Sequence, residues 1–222
     1  FSTLSYTKIP FDKNYLRFAK ISNTIAKHIL QKILAKNYPV GTYLQKNGEG
    51  HINYHRSPVF WIRAMDFEPY FHSATRQRSL DHLKDLYSSS QKYANALGAI
   101  LNSTCFYYWF SIQGNCRDVA YSDILSFPIG HIDDATLTTL AEIFSRLMDD
   151  LRKHSKRRVY YYSNSGRVEY QEFYPKYSKP IIDEIDHALA KHYGFTDEEL
   201  DFIINYDIKY RMGQDNGNES EE

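Results

Sequence analysis

The sequence contains few of the features that mark extracellular or membrane proteins. Its only two cysteines, Cys105 and Cys116, lie eleven residues apart. So small a number excludes a disulfide framework, and we expect free thiols in a reducing cytoplasm. No run of about 18 apolar residues and no signal-peptide pattern occurs, so the sequence predicts neither a membrane segment nor secretion.

Catalytic and metal-binding motifs are also missing. The nine histidines form no His-Glu-x-x-His pattern, and no Cys-x-x-Cys pair occurs. Neither a zinc site nor a catalytic triad is therefore favoured, although either can be assembled on paper from scattered residues. The Gly-Glu-Gly triplet at residues 48–50 is too short for a phosphate-binding loop. The sequence indicates no metal site and no active site of its own.

The formal net charge is zero, yet the charges are unevenly distributed along the chain. Residues 1–132 hold 15 Lys and Arg against 8 Asp and Glu, whereas residues 133–222 hold 12 against 19. A basic part can bind a polyanion while the acidic part stays away from it. Ordinary solvated charge is the alternative interpretation of the same distribution.

The most informative stretch spans residues 97–129. Apolar residues recur there at three- and four-residue spacing from Leu97 to Tyr108, which predicts a helix with Asn-Ser-Thr in its middle. Gly114 is expected to end this helix in the left-handed conformation. Residues 115–118, Asn-Cys-Arg-Asp, then form a polar turn, and Ser122 is the expected cap of a short helix that follows. The stretch therefore presents an amide, a guanidinium and a carboxylate at one edge of a rigid helix.

The remaining patterns predict an α+β fold. Residues 20–36 are typical of an amphipathic helix, and residues 54–65 are typical of a central strand because both faces are apolar. Residues 159–173 predict a hairpin around an Asn-Ser-Gly turn. We expect a mixed or antiparallel sheet with packed helices in residues 1–132, a helical and hairpin appendage in residues 133–212, and a disordered acidic tail in residues 213–222.

The expected appendage contains three predicted helices. The first carries a leucine seam, with alternating three- and four-residue spacing, suited to docking on a neighbouring helix. The second begins at Ser178 or Lys179, has Pro180 in its first turn and ends at Gly194. The third starts with a capping box of Thr196 and Glu199. The seam consists of Leu137, Leu140, Phe144, Leu147 and Leu151.

A family resemblance begins at residues 102–104. Asn-Ser-Thr is followed there by Phe-Tyr-Tyr-Trp-Phe, then by Gly-Asn-Cys-Arg and by Asp-Ile-Leu-Ser-Phe-Pro-Ile. This series resembles the C-terminal specificity domain of TaqI-like adenine-specific DNA methyltransferases, and the corresponding module of fused Type IIG restriction-modification enzymes. Residues 54–71, 78–87 and 168–211 extend the resemblance over most of the chain.

The resemblance implies a target-recognition domain that binds double-stranded DNA in a prokaryotic cytoplasm. Such a domain works with a methyltransferase domain of the same polypeptide, which binds S-adenosylmethionine and carries an (Asn/Asp/Ser)-Pro-Pro-(Tyr/Phe) motif for the flipped adenine. The seven prolines here never form a pair. We therefore expect this chain to be a non-enzymatic part of a longer protein, as its start at Phe1 also indicates.

Candidate DNA-binding residues combine positive charge with hydrogen-bond donors. Lys and Arg bind phosphates and make affinity dependent on salt, and a few side chains then distinguish base edges in the major groove. The loop at residues 46–51 is a candidate reader of bases, through Lys46, Asn47 and His51. The other candidates are Arg56, Arg76, Arg78, Ser79, His82, Lys84, Asn115 and Arg117.

A second hypothesis comes from another functional class. The leucine seam and the tyrosine-rich surface would dock a partner subunit, and DNA would play no part. The two hypotheses differ in their salt dependence, because only phosphate binding releases counterions.

Overall fold

The computed structural model describes residues 11–12, 17–21, 23–58, 60–73, 75, 83–163 and 166–211. Helices that pack on antiparallel sheets confirm the predicted α+β fold. The helices are α1 (Thr24–Leu34), α2 (Gln91–Asn102), α3 (Thr104–Gln113), α4 (Tyr121–Leu125), α5 (Asp134–His154), α6 (Pro175–Tyr193), α7 (Asp197–Ile204) and α8 (Ile208–Arg211). The strands are β1 (Phe11–Asp12), β2 (Arg17–Phe18), β3 (Leu44–Gln45), β4 (Gly50–His55), β5 (Ala64–Met65), β6 (Phe71–Ser73), β7 (Leu83–Ser88), β8 (Lys156–Tyr162) and β9 (Gly166–Glu172).

Helices α2 and α3 form the centre of the fold, where the sequence predicts one continuous helix. The helix breaks at Ser103, which has a ψ of 154° and whose hydroxyl accepts a hydrogen bond from Phe106 N at 2.9 Å. Asn102 Nδ2 donates to Ala64 O and Gly98 O, both at 2.8 Å. The prediction of a single helix is therefore wrong, because two small polar side chains bind backbone groups at the junction.

Gly114 ends α3 as predicted, but for a different reason. Its φ is −85°, so it does not use the left-handed conformation that the prediction assumed. A Cβ here would lie 2.6 Å from Phe110 O, closer than a side chain can approach. Glycine is needed at this position for the close backbone approach. The left-handed residue of this region is instead Cys116, with a φ of 59°.

Helix α4 starts without the predicted cap at Ser122, which lies inside the helix. Ala120 N donates to Asp123 Oδ2 at 3.0 Å, so a carboxylate of the first turn holds the helix start instead. After α4, Pro128 forms an isolated antiparallel bridge with Pro39. This bridge joins the end of the central stretch to the segment that follows α1.

Four strands form an antiparallel sheet in the order β3-β7-β4-β5. Ile52, Tyr54 and Leu86 are buried on the face that packs against α2. The predicted single strand at residues 54–65 is wrong, because β4 ends at His55 and the chain returns through an irregular loop containing Pro58 before β5. Proline cannot donate to a sheet ladder, which limits the strand there.

Helix α5 carries the leucine seam into the core. All five seam residues are buried, and α5 packs along α2 on one side and α6 on another. Gly98 of α2 allows this approach, since a Cβ there would lie 2.4 Å from the Phe144 ring. One hydrophobic cluster therefore includes residues from both sides of residue 132. Hydrophobic packing is therefore continuous across residue 132. The division into a DNA-recognition part, residues 1–132, and an appendage, residues 133–212, stays a prediction.

The predicted hairpin is confirmed as β8 and β9, which pair along their whole length with Tyr162 opposite Gly166. Strand β6 adds to β9 on its other side, so a second antiparallel sheet has the order β6-β9-β8. Tyr70 N donates to Gln171 Oε1 at 3.1 Å and continues this contact beyond β6. The hairpin is thereby attached to a segment of the first half of the chain.

The helices after the hairpin follow the sequence patterns in part. Gly194 ends α6 with a φ of 69°, and Thr196 and Glu199 form the predicted capping box of α7. Helix α6 begins at Pro175, however, so Pro180 lies inside it and the predicted start is wrong. Ser178 Oγ donates to Asp150 Oδ2 at 2.7 Å, a tertiary contact that holds this first part of the helix. The predicted acidic tail at residues 213–222 lies outside the described residues.

Candidate nucleic-acid interface

The polar turn at residues 115–118 has a defined geometry. Asn115 Oδ1 accepts from the backbone N–H groups of Arg117 at 2.8 Å and Asp118 at 3.0 Å. Such an arrangement lets an asparagine side chain fix a turn without help from other elements. The turn closes on β4, because Val119 N donates to Arg56 O at 2.8 Å. Asn115 therefore shapes the turn, and the predicted guanidiniums of Arg56 and Arg117 come together beside it.

Three cations surround this turn, and we name Lys20, Arg56 and Arg117 the cation cluster. Lys20 Nζ donates to Gly114 O at 2.8 Å and to Cys116 Sγ at 3.2 Å. The side chain of Arg117 is 89% exposed, and that of Arg56 is 47% exposed. Sequence analysis missed Lys20, because its contacts join positions more than ninety residues apart and no local pattern marks them.

One carboxylate balances the cation cluster in part. Asp118 Oδ2 lies 3.9 Å from Arg56 Nη2 and 3.8 Å from Arg117 Nε, while Ser57 Oγ donates to Asp118 Oδ1 at 2.8 Å. Both guanidinium distances exceed those of N–H to O hydrogen bonds, so Asp118 positions the two arginines loosely. With three positive charges against one, the cluster has a net positive charge.

Arg56 also lies close to a buried tyrosine of β4. The pKa of Tyr54 is raised to about 12, chiefly by burial and also by the nearby Tyr121 and Asp123, while the Arg56 guanidinium lowers it. Tyr54 is therefore neutral at physiological pH. The cluster thus borders a neutral aromatic surface in which Tyr121 is exposed.

Lys84 lies at the same end of the first sheet. It pairs with Tyr54 in the register of β7 and β4, and Leu83 pairs with His55 immediately before Arg56. Strand β7 begins at this end of the sheet with Leu83. Four further candidates that precede β7 in the sequence, Arg76, Arg78, Ser79 and His82, lie outside the described residues.

The predicted reader loop lies at the opposite end of β4. At about 3.4 Å per residue, the six residues of β4 separate it from Arg56 by roughly 17 Å. Lys46 and Asn47 are exposed, whereas His51 belongs to β4, where its Nε2 lies 2.8 Å from Asp85 Oδ1. The loop crosses the end of β7, and a Cβ on Gly48 would lie 2.0 Å from the backbone oxygen of Ser88. The loop therefore lies against the end of the sheet.

Helix α3 is anchored at both ends, which fixes the position of the turn. At its N-terminus the buried carboxylate of Asp186 accepts from Thr104 N at 3.1 Å and Cys105 N at 3.0 Å. At its C-terminus Lys20 N donates to Ile112 O at 3.0 Å. A negative charge at a helix N-terminus is also favoured by the helix dipole. The cation cluster is thus carried by a helix that the core holds in place.

The two free cysteines occupy different environments. Burial raises the pKa of Cys105 well above its ordinary value, and the nearby Asp186 carboxylate raises it further. Cys116 lies in the exposed turn, where its Sγ donates to Ser111 O at 3.2 Å. Cys105 therefore belongs to the core and only Cys116 is accessible.

The described residues also form a groove away from the cation cluster. A groove of about 1160 Å³ between α5 and α6 is lined in part by His131, His187 and His192. The described residues nevertheless contain no group of three or more His, Cys, Asp or Glu side chains placed to hold a metal ion. Among the same residues, no helix has the length and apolar character needed to cross a membrane.

Comparisons with protein families, with curated proteins and with solved structures find no match to this chain. The resemblance to specificity domains of adenine-specific DNA methyltransferases therefore stays an interpretation of the sequence.

Proposed function

We propose that this chain is a DNA target-recognition domain that binds duplex DNA through the cation cluster and delivers it to a separate methyltransferase domain. The observation that carries the proposal is the convergence of Lys20, Arg56 and Arg117 on one short turn, where Asp118 lies within 4 Å of both guanidiniums. Exposed guanidiniums bind phosphates and can form paired hydrogen bonds with guanine in the major groove. A cytoplasmic location and S-adenosylmethionine in the partner domain belong to the same proposal.

The cation cluster suits DNA recognition because the backbone that positions the cluster is distinct from the side chains that would contact DNA. Phosphate contacts set the register of a protein on DNA, and base contacts then select the sequence. Arg117 is more exposed than Arg56 and projects from a turn that Asn115 and the anchored α3 hold fixed. A fixed backbone reduces the conformational entropy that binding would otherwise cost. We therefore assign base or phosphate contact to Arg117 first and to Arg56 second.

Salt dependence of duplex binding tests this proposal. Fluorescence anisotropy with a labelled random duplex should give an affinity that falls steeply as salt rises. Each phosphate contact that is lost reduces the slope of log K against log salt by about 0.9, so Arg56→Ala combined with Arg117→Ala should reduce it by about 1.8. Asp118→Asn should strengthen binding, since it removes the carboxylate beside both guanidiniums.

Arg146→Ala is the matched control. Arg146 is an exposed arginine of α5 that pairs with Glu184 of α6, so its removal deletes one positive charge away from the turn. This variant should bind duplex DNA as the unchanged chain does. An equal loss of duplex affinity in Arg146→Ala and in the double variant would contradict the assignment of DNA binding to the cation cluster.

The partner-docking hypothesis predicts binding that salt barely affects. Of its two surfaces, the leucine seam packs within this chain against α2 and α6. The tyrosine-rich surface is then the one left for docking. Unchanged anisotropy with duplex DNA at low salt, together with co-purification of a partner subunit, would favour that hypothesis.

A further inference from the structure

Strand β8 is exposed along its whole length. All seven residues of Lys156–Tyr162 are exposed, and no strand of the described residues pairs with its outer edge. Tyr160, Tyr161 and Tyr162 are 49%, 76% and 53% exposed. A contiguous exposed aromatic patch on a soluble protein commonly marks a binding surface.

Side chains alternate along the strand, so the three tyrosines divide between two faces. Tyr160 and Tyr162 share one face, where they meet Tyr170 of β9, and we name these three rings the tyrosine face. The Tyr160 and Tyr170 rings are stacked with centroids 5.7 Å apart and an angle of 12°, while the Tyr160 and Tyr162 centroids are 6.3 Å apart. Gly166 lies opposite Tyr162 and adds no side chain to this end of the face. Tyr161 points to the other face.

The tyrosine face lies in a basic segment of the otherwise acidic second half of the chain. Residues 152–179 hold eight Lys and Arg against two Asp and Glu, whereas the rest of residues 133–222 holds four against seventeen. Arg158 is held on the same face by Glu172 Oε2 at 2.8 Å and by the Tyr174 hydroxyl at 2.8 Å. Lys156 is exposed on the same face, two residues before Arg158, and its Nζ lies 5.6 Å from the centre of the Tyr174 ring. This local charge favours a polyanionic ligand.

We propose that the tyrosine face binds single-stranded nucleic acid. Unpaired bases stack on Tyr160 and Tyr162, and Lys156, on the same face about 13 Å along the strand from Tyr160, binds a phosphate further along the nucleic acid. A base inserted between two parallel rings needs them roughly 7 Å apart, twice the contact distance of carbon atoms. The Tyr160 and Tyr162 centroids lie 6.3 Å apart at an angle of 31°, so the two exposed rings have to turn parallel and separate further to admit a base. A duplex cannot use this face in the same way, because its bases already stack on one another.

The proposal is independent of duplex binding at the cation cluster, since it rests on different elements and different residues. The two kinds of ligand also use different interactions. Base stacking on aromatic rings contributes much of single-strand affinity, whereas phosphate contacts dominate duplex affinity. A single set of variants can therefore separate them.

Anisotropy with a labelled oligothymidylate of about twelve nucleotides tests the tyrosine face. Tyr160→Ala and Tyr162→Ala should each weaken binding roughly tenfold, the loss expected for one stacked base. Tyr160→Phe should bind normally, because it retains the ring. Tyr161→Ala is the matched control on the opposite face of the same strand and should also bind normally. All of these side chains are exposed, so circular dichroism should show an unchanged fold.

Three outcomes would overturn the proposal. The first is an equal loss of oligothymidylate affinity in Tyr160→Ala and Tyr161→Ala, or no loss of this affinity in either variant. The second is a loss of duplex binding in Tyr160→Ala as large as the loss of oligothymidylate binding. The third is a change in sedimentation of Tyr160→Ala without a change in oligothymidylate binding, which would assign the face to a protein contact. Arg117→Ala should leave oligothymidylate binding unchanged, so failure of the duplex proposal would be seen separately.

Discussion

Asp186 connects α6 to the first turn of α3 and is the most consequential single carboxylate of the described core. Its side chain is 1% exposed and accepts from two backbone N–H groups, those of Thr104 and Cys105. Hydrogen bonds to a charged group contribute about 1.5–3 kcal/mol each. Asp186→Ala removes both bonds and leaves two donors of a buried helix start without this acceptor. Some of that loss is offset because a carboxylate no longer has to be buried.

We expect Asp186→Ala to lower the free energy of unfolding by about 3 kcal/mol. With a denaturant slope of roughly 2–3 kcal/mol per molar for a chain of this size, the urea midpoint should fall by about 1 M. Urea titration followed by tryptophan fluorescence is a suitable assay, because Trp109 lies within α3. Asp186→Asn retains one acceptor oxygen, so its urea midpoint should lie between those of Asp186→Ala and the unchanged chain.

Glu184→Ala controls for the loss of a carboxylate from the same helix. Glu184 is an exposed residue of α6 that pairs with Arg146. An exposed ion pair contributes at most about 1 kcal/mol, so this variant should unfold near the original midpoint. The reasoning about α3 would be refuted if Asp186→Ala and Glu184→Ala shifted the midpoint equally.

Three further predictions concern the core, the pH response and the thiols. Gly98→Ala should destabilise the fold by about 1–3 kcal/mol in urea titration, since the new Cβ would overlap the Phe144 ring between α2 and α5. Burial lowers the pKa of His192 below its usual 6.5, so the unfolded chain binds the proton more readily. Stability should therefore fall as the pH drops through about 6.5, and His192→Gln should reduce this part of the pH dependence. A thiol reagent should label Cys116 rapidly in the folded chain and Cys105 only after unfolding, so two equally fast reactions would contradict the burial of Cys105.

The sequence predicted those elements whose signals are local. The capping box of Thr196 and Glu199 and the left-handed Gly194 both act within one helix turn, and both are confirmed. The leucine seam correctly predicted a helix that docks on a neighbour, because apolar spacing on one face requires a partner surface. The α+β class followed from the same periodic patterns.

The errors occur where distant residues decide the local structure. Residues 97–113 have the apolar spacing of one helix, yet Asp186, more than eighty residues away, supplies acceptors for a new helix start after Ser103. Pro180 marks a helix start by its usual preference, but Ser178 is held by Asp150 and the helix extends before the proline. The position of Lys20 beside Gly114 likewise depends on tertiary packing. No pattern within a short window contains these contacts.

If the proposed DNA recognition holds, the separation between buried α3 and the exposed turn at residues 115–118 determines how specificity can change. The helix is buried in the core, whereas Asn115, Cys116 and Arg117 are exposed. Natural selection or a designer can therefore replace Arg117 and test new chemistry at a fixed point in space. Asn115 and Cys116 are exceptions, because the Asn115 side chain shapes the loop and Cys116 has a left-handed backbone.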